Sequence, residues 1–227
     1  MSNKDGSRKQ LEEATEEAGA RGMLVVVSSP SGGGKGTLIR HILKSVPNLG
    51  YSISFTTRSP RGDEMDGRDY HFVSTAEFNE MKDAGGFLEW AVVHGNLYGT
   101  GCDEVRRELD QGRDIILEID VQGAESVREL EPLAVSVFIL PPTFEILRAR
   151  LIARGSEGPA DLELRLTNAC REVLRYGEFD YVVINDEVER AAAQLASIVY
   201  AERARRVRQE SIIRRVLESF PPAPSAG

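Results

Sequence analysis

The stretch MLVVVS (23–28) runs directly into SPSGGGKGT (29–37) and on into TLIRHILKSV (37–46). A short, continuous apolar run with no alternating polar positions suits a strand buried on both faces. Leu38, Ile42 and Val46 recur at helical spacing, so a helix follows the strand. The glycine-rich turn between them lies close to the pattern G-x-x-x-x-G-K-[ST]. In such a turn, backbone N–H groups point inward around phosphate oxygens, and the next helix aims its positive end at the same place. Lys35 adds a compact positive charge. Ser29, Pro30, Ser31, Gly32, Gly33, Gly34, Lys35, Gly36 and Thr37 are therefore read as a phosphate cradle. Two positions depart from the pattern. Ser29 stands at the first glycine, and Gly36 stands where a metal-binding hydroxyl is usual, with Thr37 just behind it. Only five of the 28 basic residues are lysines, so a lysine here suggests that a point-like ammonium is wanted.

Outward from this unit the pattern alternates. DIILEID (114–120), VSVFIL (135–140) and DYVVIN (180–185) read as further buried strands. Helical segments are expected over 103–112, 123–130, 143–153 and about 162–175, with one long helix near the C-terminus. Buried strands alternating with helices imply an α/β fold: a parallel sheet with helices on both faces, of the P-loop nucleoside triphosphate hydrolase type. SISFT (52–56), DYHFV (69–73) and FLEWAVV (87–93) break that rhythm and predict a small antiparallel insert. Ser74-Thr75-Ala76-Glu77 is a capping-box pattern opening a helix through Met81. The expected layout is a tail (1–21), a core (22–50 and 101–205), an insert (51–100), a mobile lid (153–165), a C-terminal helix (206–220) and a second tail (221–227).

The chain has 227 residues, 41% hydrophobic and 28% charged, with a net charge of −8. That charge argues against a general nucleic-acid binder, since no overall basic field exists to collect phosphates. Anions must be held by local cations instead. No apolar run is long enough to span a bilayer, and residues 1–22 lack an apolar signal core, so no membrane is expected and the location is read as cytoplasmic. Cys102 and Cys170 make no metal pattern and are read as reduced thiols.

The segment SFTTRSPRGDEMDGRDYHFV (54–73) resembles the nucleotide-binding segment of guanylate kinases. FLEWA (87–91), GNLYGT (95–100), EIDVQG (118–123), FILPP (138–142) and VIND (183–186) resemble the same family, over about residues 22 to 205. The resemblance implies phosphoryl transfer from ATP to GMP, and to dGMP, with Mg2+, on a core carrying a GMP-binding domain and a lid. It implies that residues 29–37 hold ATP. It implies GMP contacts from Ser54, Arg58, Arg61, Tyr70, Glu89, Tyr98, Thr100 and Asp120. Lys35, Arg58, Arg154 and Arg165 are implied as the catalytic cations. The physical sense is plain at Glu89, because guanine presents N1–H and an N2 amino group side by side and one carboxylate accepts both. With Gly36 in the hydroxyl position, Mg2+ is expected on ATP phosphates and water, with Thr37 and Asp120 as possible contacts, and Glu118 less so. Arg150, in a helix, is read as a lid arginine or an ordinary salt bridge, and His41, His71 and His94 as structural. GKGT also suits adenylate kinases, and some related domains are peptide-binding scaffolds. Glu89 and Thr100 weigh against the first, the intact cradle against the second. The partners expected are ATP and GMP, with a homo-oligomer left open.

Overall fold

The computed structural model describes residues 21–93, 95–153 and 159–221. The tail at 1–20, His94, Arg154 with the rest of 154–158, and the ending at 222–227 lie outside the described residues. The chain begins with β1 (Leu24–Ser28), α1 (Lys35–Ser45) and β2 (Leu49–Tyr51). Next come β3 (Phe55–Thr56), β4 (His71–Phe72), α2 (Thr75–Asp83), β5 (Phe87–Val93) and β6 (Asn96–Gly101). Then follow α3 (Cys102–Asp110), β7 (Asp114–Glu118), α4 (Val121–Leu130), β8 (Val135–Leu140) and α5 (Phe144–Ala153). The last are α6 (Pro159–Glu172), a 3-10 turn (Val173–Glu178), β9 (Tyr181–Ile184), α7 (Val188–Arg203) and α8 (Arg206–Glu218).

β1 is buried along its whole length and sits in the middle of a five-stranded sheet, ordered β2-β7-β1-β8-β9 with every pairing parallel. Its side chains feed two cores. Val25 and Val27 pack with Leu38, Ile39 and Ile42 of α1 and with Leu195 and Val199 of α7. Leu24 and Val26 pack on the other face with Val105 and Leu109 of α3 and Val127 of α4. Period-two alternation inside an all-apolar strand thus gives each helical layer half of the strand.

The insert is a four-stranded sheet, ordered β4-β3-β6-β5. It corrects the expectation of a purely antiparallel insert: β3–β6 and β5–β6 are antiparallel, but β3–β4 is parallel. The loop between β3 and β4 carries the chain back to run in the same direction, so His71 N–H donates to Ser54 and Val73 N–H to Thr56. The strand expected over 52–56 shrinks to Phe55–Thr56, and Tyr51 belongs to the edge strand of the main sheet. The capping box at Ser74 and Glu77 is present, with both reciprocal bonds, and its helix continues to Asp83.

Two helix expectations change. The helix expected from 162 begins at Pro159, since proline fits the first helical position, and after Glu172 it tightens into the 3-10 turn. The single long C-terminal helix is two, α7 and α8. The break follows Arg203, whose Nε bonds Asp114 Oδ2 at 2.6 Å, while Gln209 Nε2 takes the Arg203 carbonyl at 2.7 Å.

Candidate active site

The cradle leaves the carboxyl end of β1, the edge where parallel sheets hold ligands. Gly34 precedes α1 with φ of +91°, a left-handed conformation that glycine adopts without penalty. No side chain caps this helix start, which leaves its first N–H groups as donors for an anion. Three side chains grip the loop through its backbone. Asn185 Nδ2 donates to Gly33 O at 2.8 Å, Arg150 Nη1 reaches the same carbonyl at 3.4 Å, and Ser31 N–H donates to Glu172 Oε2 at 3.0 Å. Arg150 also donates to Asn185 O at 2.8 Å, so it serves as a brace on backbone carbonyls. Ser29 Oγ donates to Pro30 O at 2.9 Å.

Beside the cradle lies a cavity of about 190 Å³ lined by Lys35, Ser54, Tyr70, Glu89, Tyr98, Glu118 and Asp120. Glu89 is 6% exposed and Thr100 0%. The two are cross-strand partners on β5 and β6, and Thr100 Oγ1 donates to Glu89 Oε1 at 2.6 Å. A bulge between Phe87 and Glu89 lets Leu88 and Glu89 both point inward, one into the core and one into the cavity. Burial pushes the Glu89 carboxyl up to about 7; the Thr100 hydrogen bond pulls the other way, and the nearby Asp120 charge adds to the rise. Asp120 itself caps α4 by accepting from Gly123 N–H at 2.8 Å.

A second cavity of about 700 Å³ is lined by Gly36, Thr37, Arg58, Arg61 and Arg165, among others. Tyr70, Tyr98 and Glu118 line both cavities, so the two adjoin there. Arg58, 8% exposed, is already engaged: its two terminal nitrogens pair with Glu64 at 2.8 and 3.0 Å, and its Nε donates to Tyr98 at 3.1 Å. Glu64 also accepts from Arg61 N–H at 2.8 Å, and these bonds hold its carboxyl below the usual carboxylate range. Burial lifts the Tyr70 hydroxyl to about 12, aided by the Glu118 charge. Glu118 accepts from Tyr51 at 3.3 Å and stands 4.0 Å from Lys35 Nζ. Its carboxylate faces Gly36 closely: a methyl there would stand 3.2 and 3.3 Å from its two oxygens, a tight contact.

The model of the family described as guanylate kinase matches residues 21–202. The chain belongs to the guanylate kinase family. It is 48% identical over 188 residues to a guanylate kinase from Thiobacillus denitrificans, covering 83% of this chain and 90% of that one. It is 47% identical to one from Dechloromonas aromatica, covering 86% and 99%. The crystal structure of guanylate kinase from Anaplasma phagocytophilum superposes with a TM-score of 0.75 at 32% identity, covering 89% of this chain and 97% of that one.

The guanylate kinase motifs of the sequence thus meet in space. Lys35, Ser54, Tyr70, Glu89, Tyr98 and Asp120 share one cavity, with Thr100 backing it; Gly36, Thr37, Arg58, Arg61 and Arg165 share the other. Ser29 to Gly34 line neither cavity, and Arg154 lies outside the described residues. Sequence reasoning missed Tyr51, Glu64 and Glu172, which bond to site groups across loops and carry no local signature. Glu118 was visible at the end of a buried strand, but its inward direction was not. Among the described residues no group of three or more His, Cys, Asp or Glu side chains could hold a metal alone, and no helix is long and apolar enough to cross a membrane.

Proposed function

We propose that this chain transfers the γ-phosphoryl group of ATP to GMP, and to dGMP, releasing ADP and GDP, in the cytoplasm. The observation that carries the reading is the Glu89–Thr100 pair, buried in a cavity that Lys35 of the cradle also lines. Glu89 meets the N1–H and N2 donors of guanine with its two oxygens, Oε2 being unbonded and Oε1 keeping a second lone pair beside the Thr100 hydroxyl, while Ser54 lies near the base. AMP lacks the N1–H and would leave buried carboxylate capacity unused, a mismatch worth about 10⁴-fold in selectivity. Tyr70, Tyr98, Arg58 and Arg61 receive the GMP phosphate; Arg58 exchanges its Glu64 partner for that dianion, which offers the same paired oxygen geometry.

Residues 29–37 hold ATP, with Lys35 on its β- and γ-phosphates. A GMP phosphate oxygen, already anionic, forms the new bond to the γ-phosphorus while the bond to the β–γ bridging oxygen breaks and ADP departs. No general base is required, so the work is positioning and charge neutralisation. Lys35, Arg58, Arg165 and Arg154 supply the positive charge around the equatorial oxygens. Mg2+, entering with ATP, supplies further neutralisation of phosphate charge when bound. The donor set fits a hydrated hard cation: Glu118 fills the notch at Gly36, and Thr37 and Asp120 add hard oxygens, so these residues would hold its water shell.

The test is a coupled ADP-release assay with GMP, dGMP and AMP, joined to calorimetry on Glu89→Gln. GMP and dGMP should turn over and AMP should not, and the variant should lose GMP affinity by about 100-fold with ATP affinity unchanged. Comparable rates with AMP would remove the guanine argument.

A further inference from the structure

Gly123 lies in the first turn of α4, three residues beyond Asp120. It is buried, and a methyl group on it would stand 2.5 Å from Glu89 Oε2 and 3.1 Å from Glu89 Cδ. Those separations lie inside van der Waals contact, so the carboxylate and an alanine side chain cannot both keep their places. The glutamate can yield only by swinging Oε2 into the cavity that it lines. Its other oxygen is tied to the Thr100 hydroxyl at 2.6 Å, and its strand partner on β6 is Thr100 itself. The helix cannot yield cheaply either, because the N–H of Gly123 is held by Asp120 Oδ1 at 2.8 Å, the bond that caps α4. The bare Cα of residue 123 is thus the backstop against which the acid rests.

We propose that Gly123 is a specificity-positioning residue: the gap left by its missing side chain sets where Glu89 Oε2 stands, and so which purine the cavity accepts. The proposal rests on the reading of Glu89 as the guanine acceptor and adds the residue that places it. A side chain at 123 would press Oε2 toward the cavity and away from its alignment with two adjacent donors. The cradle, built from residues 29–37, is untouched by this change. Helix propensity runs the other way, since alanine is the better helix former, so the substitution harms the site without weakening its helix.

The experiment uses the full chain and four proteins: wild type, Gly123→Ala, Glu89→Asp and the double variant. GMP KM, kcat, ATP affinity by calorimetry and the thermal midpoint are measured for each. Gly123→Ala is expected to raise the GMP KM about 100-fold, the scale of a misplacement near 1 Å, with ATP affinity maintained and the thermal midpoint lowered by no more than roughly 10 °C, the cost of crowding one buried acid. In the double variant the shorter acid clears the new methyl. The combined loss should then be smaller than the product of the two single losses, the mark of groups in contact. A normal GMP KM in Gly123→Ala, a product-like double variant, or a Gly123→Ala protein that does not fold would each overturn the proposal. Glu89→Gln, run in parallel, separates the two levels. If it binds GMP normally, the guanine reading itself falls; if it loses GMP while Gly123→Ala does not, only the backstop falls.

Discussion

A carboxyl group stripped of water and given one hydroxyl partner holds its proton longer than the same group in the unfolded chain. Glu89 is in that position, raised from an ordinary 4.5 to about 7. Between those values the folded protein keeps a proton that the unfolded chain has released. The group's contribution to stability is therefore full below pH 4.5 and fades as pH rises to about 7. Above that, the buried anion costs on the order of 3 kcal/mol. Glu89→Gln should raise the thermal midpoint near pH 8 and leave it almost unchanged near pH 5, which calorimetric scans across pH would measure. With Glu89 as the proposed guanine acceptor, two base donors favour its ionised form, so GMP affinity should rise with pH through 7, and calorimetry in the Gln variant should show that dependence flattened. At Lys35 the expectation concerns rate alone: Lys35→Met should lower kcat by about 10³-fold with an unchanged circular dichroism spectrum. Both residues announced themselves in the sequence, Lys35 by a local pattern and Glu89 by family resemblance. The inward direction of Glu89 did not, since strict alternation would send one of Leu88 and Glu89 outward, and a bulge brings both in.

Elements built from local signals were legible. β1, its turn and α1 appear where apolar continuity, glycines and helical spacing place them, and the Ser74 capping box is complete. What escaped depends on partners far along the chain. The break between α7 and α8 is fixed by Arg203 reaching Asp114, 89 residues away, and the brace on the cradle comes from Arg150, Glu172 and Asn185 on three later elements. Position 36, in the first turn of α1, faces the Glu118 carboxylate at the end of β7. Gly36→Ser would crowd the Glu118 carboxylate, turning it from Tyr51 and Lys35, at an expected cost of about 1–3 kcal/mol. Shortening the acid in Gly36→Ser/Glu118→Asp should recover most of that loss, as read from thermal midpoints of the single and double variants.

At the scale of the whole molecule, one buried carboxylate fastens distant parts of the main sheet. Asp114, at the start of β7, accepts Met23 N–H at 2.7 Å just before β1 and holds Arg203 Nε at 2.6 Å at the end of α7. Arg203 also donates to Pro47 O at 2.8 Å, ahead of β2. Arg203→Ala takes away the ion-pair partner of that buried acid and leaves it the Met23 N–H, at an expected loss of about 3 kcal/mol. The thermal midpoint should fall by roughly 2–4 °C for each kcal/mol lost, while KM for both nucleotides stays unchanged because the cluster lies at the opposite end of the strands from the cradle.

The insert rests on a small aromatic stack of its own, Phe78 on Phe87 at 4.4 Å and Phe55 edge-on to Phe87 at 5.6 Å. Neither main core includes these three rings, and Leu88 is the β5 residue that joins one. Two reservoirs of apolar burial of unequal size imply two cooperative units with unequal opening energies. Deuterium should therefore enter the amides of β3 and β6 sooner than those of β1 and β7. The four-stranded insert, with Glu89 on it, would breathe on a quicker clock than the five-stranded sheet that carries the glycine-rich turn.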